Sequence, residues 1–245
     1  MNKFISKKNF IKISSMIIII IYLIFLYMDF VSKDLRNIYS VRLKYLTIVI
    51  CFIISLLIKS HGYSEKDKVL VQFARFFTLI ADYFLSISGN YIMGIFFFSL
   101  VQIIYIIRHS LMENKKRKNL IFFIASLVIA LIVSLKIKIT SIEKDLIISV
   151  LIYASLLTTS LYCAVSTITR GKYPKKSSWI IALGMFLFFM CDLNVGLYNI
   201  VEEGNIEFFL GFLIWLFYLP SQLLLTLSGF NVQYLEEIFK KYTTM

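Results

Sequence analysis

Two aspartates lie within long apolar runs: Asp82 in FFTLIADYFLSI and Asp192 in LFFMCDLNVGL. The other twelve of the fourteen acidic residues fall in loops, tails or the ends of such runs: Asp29, Asp34, Glu65, Asp67, Glu113, Glu143, Asp145, Glu202, Glu203, Glu207, Glu236 and Glu237. A carboxylate near the middle of a membrane span costs about 2.5–3.5 kcal/mol on the insertion scale, so an acid retained there is a functional hypothesis by default. Two such acids at one depth can converge on one site. Two other readings stand beside this one. Each acid could be hydrogen-bonding glue between helices, a task that Asn or Ser performs more cheaply. Or the acids could serve a proton or ion pathway, which usually brings a cationic partner or a chain of polar residues.

Other polar residues also sit on apolar helices. Gln102 and Tyr105 share one face at i, i+3, and Tyr218 and Gln222 share another at i, i+4. Pro220 between the latter two removes a backbone donor and can kink its helix. Asn194 and Asn199 follow Asp192, and Tyr153 lies in a further run. Together they outline a polar pocket in an otherwise apolar bundle. Arg75 precedes Asp82 by seven residues, on the same helix face and about 10.5 Å away. It also lies one to two turns from a helix end, and the expectation is that its side chain snorkels outward to water.

Other chemistries find no foothold. Cys51, Cys163 and Cys191 all lie in apolar runs without CxxC spacing and read as small buried hydrophobes. The two histidines, His61 and His109, stand at loop edges, so neither a zinc cluster nor Ser/His/Asp catalysis has its ligand or base. No GxGxxG, Walker or GxSxG motif occurs. The sequence therefore implies no metal and no cofactor.

The elements that carry these residues are long helices. The chain has 245 residues, 59% hydrophobic and 16% charged, which excludes a disordered chain and points away from a water-soluble domain. Eight runs approach the roughly 20 apolar residues of a spanning helix. They lie near Ser14–Met28, Val41–Ile58, Val69–Ser88, Tyr91–Ile107, Asn119–Leu135, Leu146–Ile168, Ser178–Ile200 and Ile206–Gly229. The expected fold is all-α: one polytopic bundle of about eight transmembrane helices over residues 1–245, with a basic leader at 1–13 and a polar tail at 230–245. The leader resembles a signal peptide in its charges, but Tyr27, Met28 and Asp29 follow the apolar run where small residues would mark cleavage, so a retained helix is expected.

The net charge of +12 belongs to this architecture. Eighteen of the 26 basic residues fall on the side of the N-terminus, seven on the other, and Arg75 lies within a helix. This asymmetry predicts both termini in the cytoplasm and a multi-pass protein of the cell membrane. The basic residues form no stripe with interleaved aromatics, so nucleic acid is not expected as a partner. Asp82 lies about six residues from the outer end of its helix and Asp192 about eight, which puts them within roughly 3 Å in height. The oligomeric state is not legible.

At these residues the chain resembles the YhhN-like, eight-pass lysoplasmalogenase proteins. That family carries an Asp and then a Leu in the third span, followed by Gly, Phe and H-x-x-Y in the fourth. Asp82, Leu85, Gly94, Phe98 and Gln102-x-x-Tyr105 stand there. A second family Asp in the seventh span corresponds to Asp192, and an aromatic and a Gln in the last span correspond to Tyr218 and Gln222. The likeness runs from about Val69 to Gly229. Three positions depart from it: Ala81 replaces a Gly, Cys191 replaces a Ser, and Gln102 replaces a His. Gln hydrogen-bonds but does not shuttle a proton near neutral pH.

The resemblance implies hydrolysis of the vinyl-ether bond of lysoplasmalogen to a fatty aldehyde and a glycerophospho-headgroup. A single-chain lysophospholipid would enter from the bilayer, its tail among Phe and Leu. One protonated Asp would act as acid and one ionised Asp as base or cation stabiliser. Asp82 is taken as the acid and Asp192 as the base or stabiliser, with the reverse order also open. Gln102, Tyr105, Tyr153, Asn194, Tyr218 and Gln222 would contact substrate. An intramembrane aspartyl protease also uses two span aspartates, but Leu79-Ile80-Ala81-Asp82 lacks its GxGD pattern. The remaining alternative is a proton-coupled or lipid transporter without hydrolase activity.

Overall fold

The computed structural model describes residues 6–111, 116–136, 144–201 and 204–240. The chain folds as α1 (Lys7–Ser32), α2 (Ile38–Leu56), a short 3-10 turn (Lys59–His61), α3 (Glu65–Asp82), a π-helical turn (Tyr83–Ser88), α4 (Tyr91–Ser110), α5 (Lys116–Lys136), α6 (Lys144–Arg170), α7 (Lys175–Tyr198), α8 (Asn205–Leu227) and α9 (Val232–Phe239). No strand occurs among the described residues. Each of the eight apolar runs lies essentially within one helix. Lys3, Lys115, Lys138 and Lys241 of the charge count lie outside the described residues, as do Glu113, Glu143, Glu202 and Glu203.

The helix starts are written locally. The side chains of Ser6, Asn37, Ser64, Asn90 and Asn231 accept from backbone N–H groups two or three residues on, satisfying donors that the first turn leaves free. Lengths and composition then set the environment. Among the described residues seven helices are long and apolar enough to cross a membrane: α1, α2, α3 with its π turn, α4, α6, α7 and α8. The sequence predicts eight, and α5 is the helix outside this set. It opens on Lys116, Arg117 and Lys118 and packs antiparallel along α6, with Phe122 stacked on Tyr162 at 4.4 Å and the Ser126 hydroxyl 3.4 Å from the Ser155 carbonyl.

The bundle is built for lipid. Large aliphatic and aromatic residues such as Ile17, Ile20, Leu23, Phe96 and Ile129 face outward, while Ser40, Thr47, Ser55, Thr78, Ser160 and Thr226 are buried. Lipid removes any hydrophobic gain from burying Leu, so close packing and hydrogen bonds hold the helices together. The tightest approach relevant to the site joins the π turn to α4, where a Cβ on Gly94 would come within 2.4 Å of Leu85. In α8 Pro220 has no N–H for the Leu216 carbonyl four residues back, and the Tyr22 hydroxyl of α1 donates to that carbonyl at 2.8 Å. The helix thus continues through its proline. The start of α1 meets α9 at one end of the bundle, where Lys8 pairs with Glu237 at 2.7 Å.

Candidate functional site

The polar face of α3 organises the interior. Asp67, Ala74, Arg75, Thr78, Ala81 and Asp82 recur at helical spacing, and all are buried. Asp67, Arg75 and Asp82 each meet partners from α4, α8 or both, so the interior has three polar levels separated by roughly two turns of helix.

At the first level Asp67 forms a fork with Arg108 of α4: Nε donates to Oδ1 at 3.0 Å and the guanidinium's second arm to Oδ2 at 3.1 Å. The remaining Arg108 donors reach the Ser228 hydroxyl and carbonyl, both at 2.8 Å. Tyr173, in the α6–α7 connection, donates its hydroxyl to Asp67 at 2.5 Å. Burial pushes the Tyr173 phenol's pKa up, so it remains a neutral donor at neutral pH. Within this cluster Asp67 and Arg108 balance each other's charge.

At the second level Arg75 is 1% exposed. Its expected snorkelling does not occur: the guanidinium turns inward and donates to the side chain of Gln222 on α8 and to the hydroxyl of Tyr105 on α4. Those two acceptors, held at the same height, offer more than the route to water would. Its Nε has no partner among the described residues. Nor does any carboxylate of the described residues lie within ion-pair distance of it.

At the third level stand the two span aspartates. Asp82, 4% exposed, ends α3 just before the π turn and accepts from the Tyr218 hydroxyl of α8 at 2.6 Å. Single π turns are frequent at functional sites. Here the turn is closed by Gly89 in the left-handed region (φ 72°) and by Asn90 N–H donating to the Phe84 carbonyl. Asp192 of α7 is only partly buried and accepts from the hydroxyl of Tyr153 on α6. The adjacent Cys191 thiol also hydrogen-bonds it. Gln102 of α4 lies 3.5 Å from the Tyr153 hydroxyl and accepts from Ser160 of α6 at 2.6 Å.

The two Asp–Tyr pairs belong to one site. Phe98 of α4 lies between them, with ring centroids 6.3 Å from both Tyr153 and Tyr218 and 5.7 Å from Phe188. The two carboxyls lie within electrostatic range of one another. Asp82 and Asp192, 110 positions apart in the sequence, are thus linked through their tyrosines to the two sides of one aromatic ring. Among the expected contact residues, Tyr153 and Tyr218 touch the acids, Gln102 touches Tyr153, and Tyr105 and Gln222 hold Arg75. Asn194 stands apart, donating to the Met190 carbonyl of its own helix at 2.6 Å. Among the described residues no group of three or more His, Cys, Asp or Glu gathers as a metal would need.

A second buried ion pair was not foreseen. Asp29, expected in a loop or at a helix end, and Lys44, within the second apolar run, lie inside the bundle end opposite α9, 2.7 Å apart and both about 1% exposed or less. Ser40 donates to Asp29 at 2.5 Å, and Lys44 sits 4.9 Å over the ring of Trp215. Trp215 in turn packs on Tyr218 at 5.4 Å. Asp67 and Arg108 likewise fall just outside the apolar runs of the sequence, and both are buried. His109, expected at a loop edge, is buried in α4 against Tyr105. The usable signal is weak: charged residues at or near the edges of apolar runs, with ion-pair partners up to 41 positions away.

The sequence model of the YhhN family matches residues 39–229. No curated protein and no solved structure matches the chain.

Proposed function

The chain belongs to the YhhN family, and on that premise we propose that it hydrolyses the vinyl-ether bond of a lysoplasmalogen. It is a multi-pass membrane protein. We read α5 as its eighth span, with the α1 start and α9 on the cytoplasmic face of the cell membrane, because the basic residues concentrate on that side. The observation that carries the activity is the pair of intramembrane carboxyls, each bonded to a tyrosine hydroxyl and neither, among the described residues, to a cation within ion-pair distance.

The chemistry fits that pair. A proton delivered to the β-carbon of the vinyl ether makes an oxocarbenium ion. Water adds to the cationic carbon, and the hemiacetal collapses to a fatty aldehyde and the free glycerol hydroxyl. One carboxylic acid supplies the proton. One carboxylate stabilises the cation and takes a proton from the attacking water. Phe98, Phe188, Trp215 and Tyr218 form the aromatic wall beside Asp82. Gln102, Tyr105, Tyr153 and Gln222 complete the polar lining as direct or indirect neighbours of the acids.

The test is aldehyde release from 1-alkenyl lysophospholipids, with choline and ethanolamine headgroups, by purified protein in detergent. In D2O the aldehyde should carry one deuterium at the carbon next to the carbonyl, as protonation on carbon requires. Well-folded protein that releases no aldehyde from either headgroup would remove the hydrolase reading and favour lipid or proton transport.

A further inference from the structure

Charge pairing distinguishes the two acids of the site. Among the described residues three cations are buried to about 1% exposure or less: Lys44, Arg75 and Arg108. Lys44 has Asp29 and Arg108 has Asp67, each within 3.0 Å. Arg75 has only the neutral acceptors Gln222 and Tyr105. Two acids, Asp82 and Asp192, thus share one unpaired buried cation. A buried charge is stabilised by an opposite charge beside it, so the acid placed next to Arg75 is the one favoured as a carboxylate, and the acid away from it is kept neutral by the low-dielectric interior.

Position decides which. Arg75 and Asp82 share one face of α3, and their partners Gln222 and Tyr218 are one turn apart on α8. Arg75 acts electrostatically on Asp82. Asp192 has other surroundings: Tyr153 of α6, Cys191 on its own helix and Asp82 across the site. The groups facing Asp82 are Arg75 on its own helix, Tyr218 of α8, Cys191 and Asp192 of α7, and Tyr45 and Cys51 of α2. Arg75 is the one buried cation in this set.

The hydrogen-bond chain beyond Asp192 also suits a neutral acid. A protonated Asp192 donates to the Tyr153 hydroxyl. Tyr153 then donates to Gln102, whose amide, after a half-turn exchanging its oxygen and nitrogen, donates to Ser160. Ser160 ends the chain on the Leu157 carbonyl at 2.9 Å. Without that half-turn the same links run the other way and serve the carboxylate. Asp192 can therefore give up and regain a proton without leaving a buried donor unmet. Gln102 supports this by reorienting its amide and carries no charge itself.

Resting on the hydrolase reading, we propose that Asp192 is the carboxylic acid that protonates the substrate, and that Arg75 is the positioning residue that holds Asp82 as the carboxylate. This reverses the order expected from the sequence.

Infrared spectroscopy of the full chain in lipid vesicles, without substrate, tests it directly. A single protonated-carboxyl stretch, shifting in D2O, should be present in wild type, persist in Asp82→Asn and vanish in Asp192→Asn. Arg75→Gln should add a second such band as Asp82 takes up a proton, and aldehyde release should fall about 100-fold or more, in the range of lost acid–base catalysis. Arg75→Lys should restore the single band. A band that survives Asp192→Asn and disappears in Asp82→Asn would overturn the assignment, as would the absence of any such band in wild type. The two isosteric Asn variants decide the matter even if Arg75→Gln does not fold. The band assignment needs no turnover, so its failure is separable from failure of the hydrolase reading.

Discussion

Asp67 and Asp82 lie two levels apart on the same face of the same helix, and their surroundings differ in kind. Asp67 receives both arms of Arg108 and the Tyr173 hydroxyl, and the cluster ties α3, α4, α8 and the α6–α7 connection together. Asp29 and Lys44 do the same for α1 and α2 at the opposite end. Asp82 and Asp192 have one tyrosine each and an aromatic ring between them. A carboxylate in a fork with a buried Arg serves as that cation's counter-charge. An acid held by a tyrosine hydroxyl has no such fork and is open to proton transfer. The difference teaches that a buried acid in this bundle is structural where it is paired and chemical where it is not.

That contrast can be broken most sharply at the unpaired acids. Asp82→Asn and Asp192→Asn should each lower aldehyde release by about 10²–10⁴-fold. Thermal unfolding in detergent should change little in Asp192→Asn, because Asn keeps the tyrosine contact, and should fall less in Asp82→Asn than in Asp67→Asn, because Arg75 keeps its bonds to Gln222 and Tyr105. At the paired acid the effects should reverse. Asp67→Asn leaves Arg108 buried without its counter-charge and should destabilise the fold by about 3–5 kcal/mol, read as a large fall in the melting temperature or loss of monodisperse protein.

A third substitution tests how the site is aimed. In Gly94→Ala the new methyl would sit 2.4 Å from Leu85 unless the π turn shifts. Such overpacking costs about 1–3 kcal/mol, and because the turn follows Asp82 directly, activity should fall along with stability. The smallest expected effects come from deleting one hydroxyl at a time. Tyr22→Phe removes the donor that serves Leu216 and should lower stability by about 0.5–1.5 kcal/mol, leaving turnover per folded molecule unchanged. Tyr218→Phe removes the donor to Asp82 and should instead change turnover. Equal behaviour of the two variants in both assays would blur the distinction between scaffold and site.

Much of this was legible in the sequence. Length and unbroken hydropathy define the helices, and the penalty for a mid-span carboxylate singles out Asp82 and Asp192 without any knowledge of their neighbours. The Tyr218–Gln222 spacing placed two partners of the site on one face of α8. What was not legible is long-range pairing. Arg75 reads as a snorkelling residue because its distance from the helix end is a local property, whereas Gln222 lies 147 positions away. Asp29 and Asp67 read as loop or run-end acids for the same reason: only assembly shows that Lys44 and Arg108 enter the interior beside them. Pro220 marked α8 for a kink. The hydroxyl of Tyr22 that serves the freed carbonyl comes from α1, and no spacing rule would have found it.

The central claim is that the unpaired acids perform chemistry and the paired acids hold structure. The most direct test measures aldehyde release and thermal unfolding on the same preparations of wild type, Asp82→Asn, Asp192→Asn and Asp67→Asn. The first two variants should be folded and inactive, and Asp67→Asn should lose stability first. Retained activity in either span-aspartate variant, or destabilisation of both to the extent of Asp67→Asn, would contradict it.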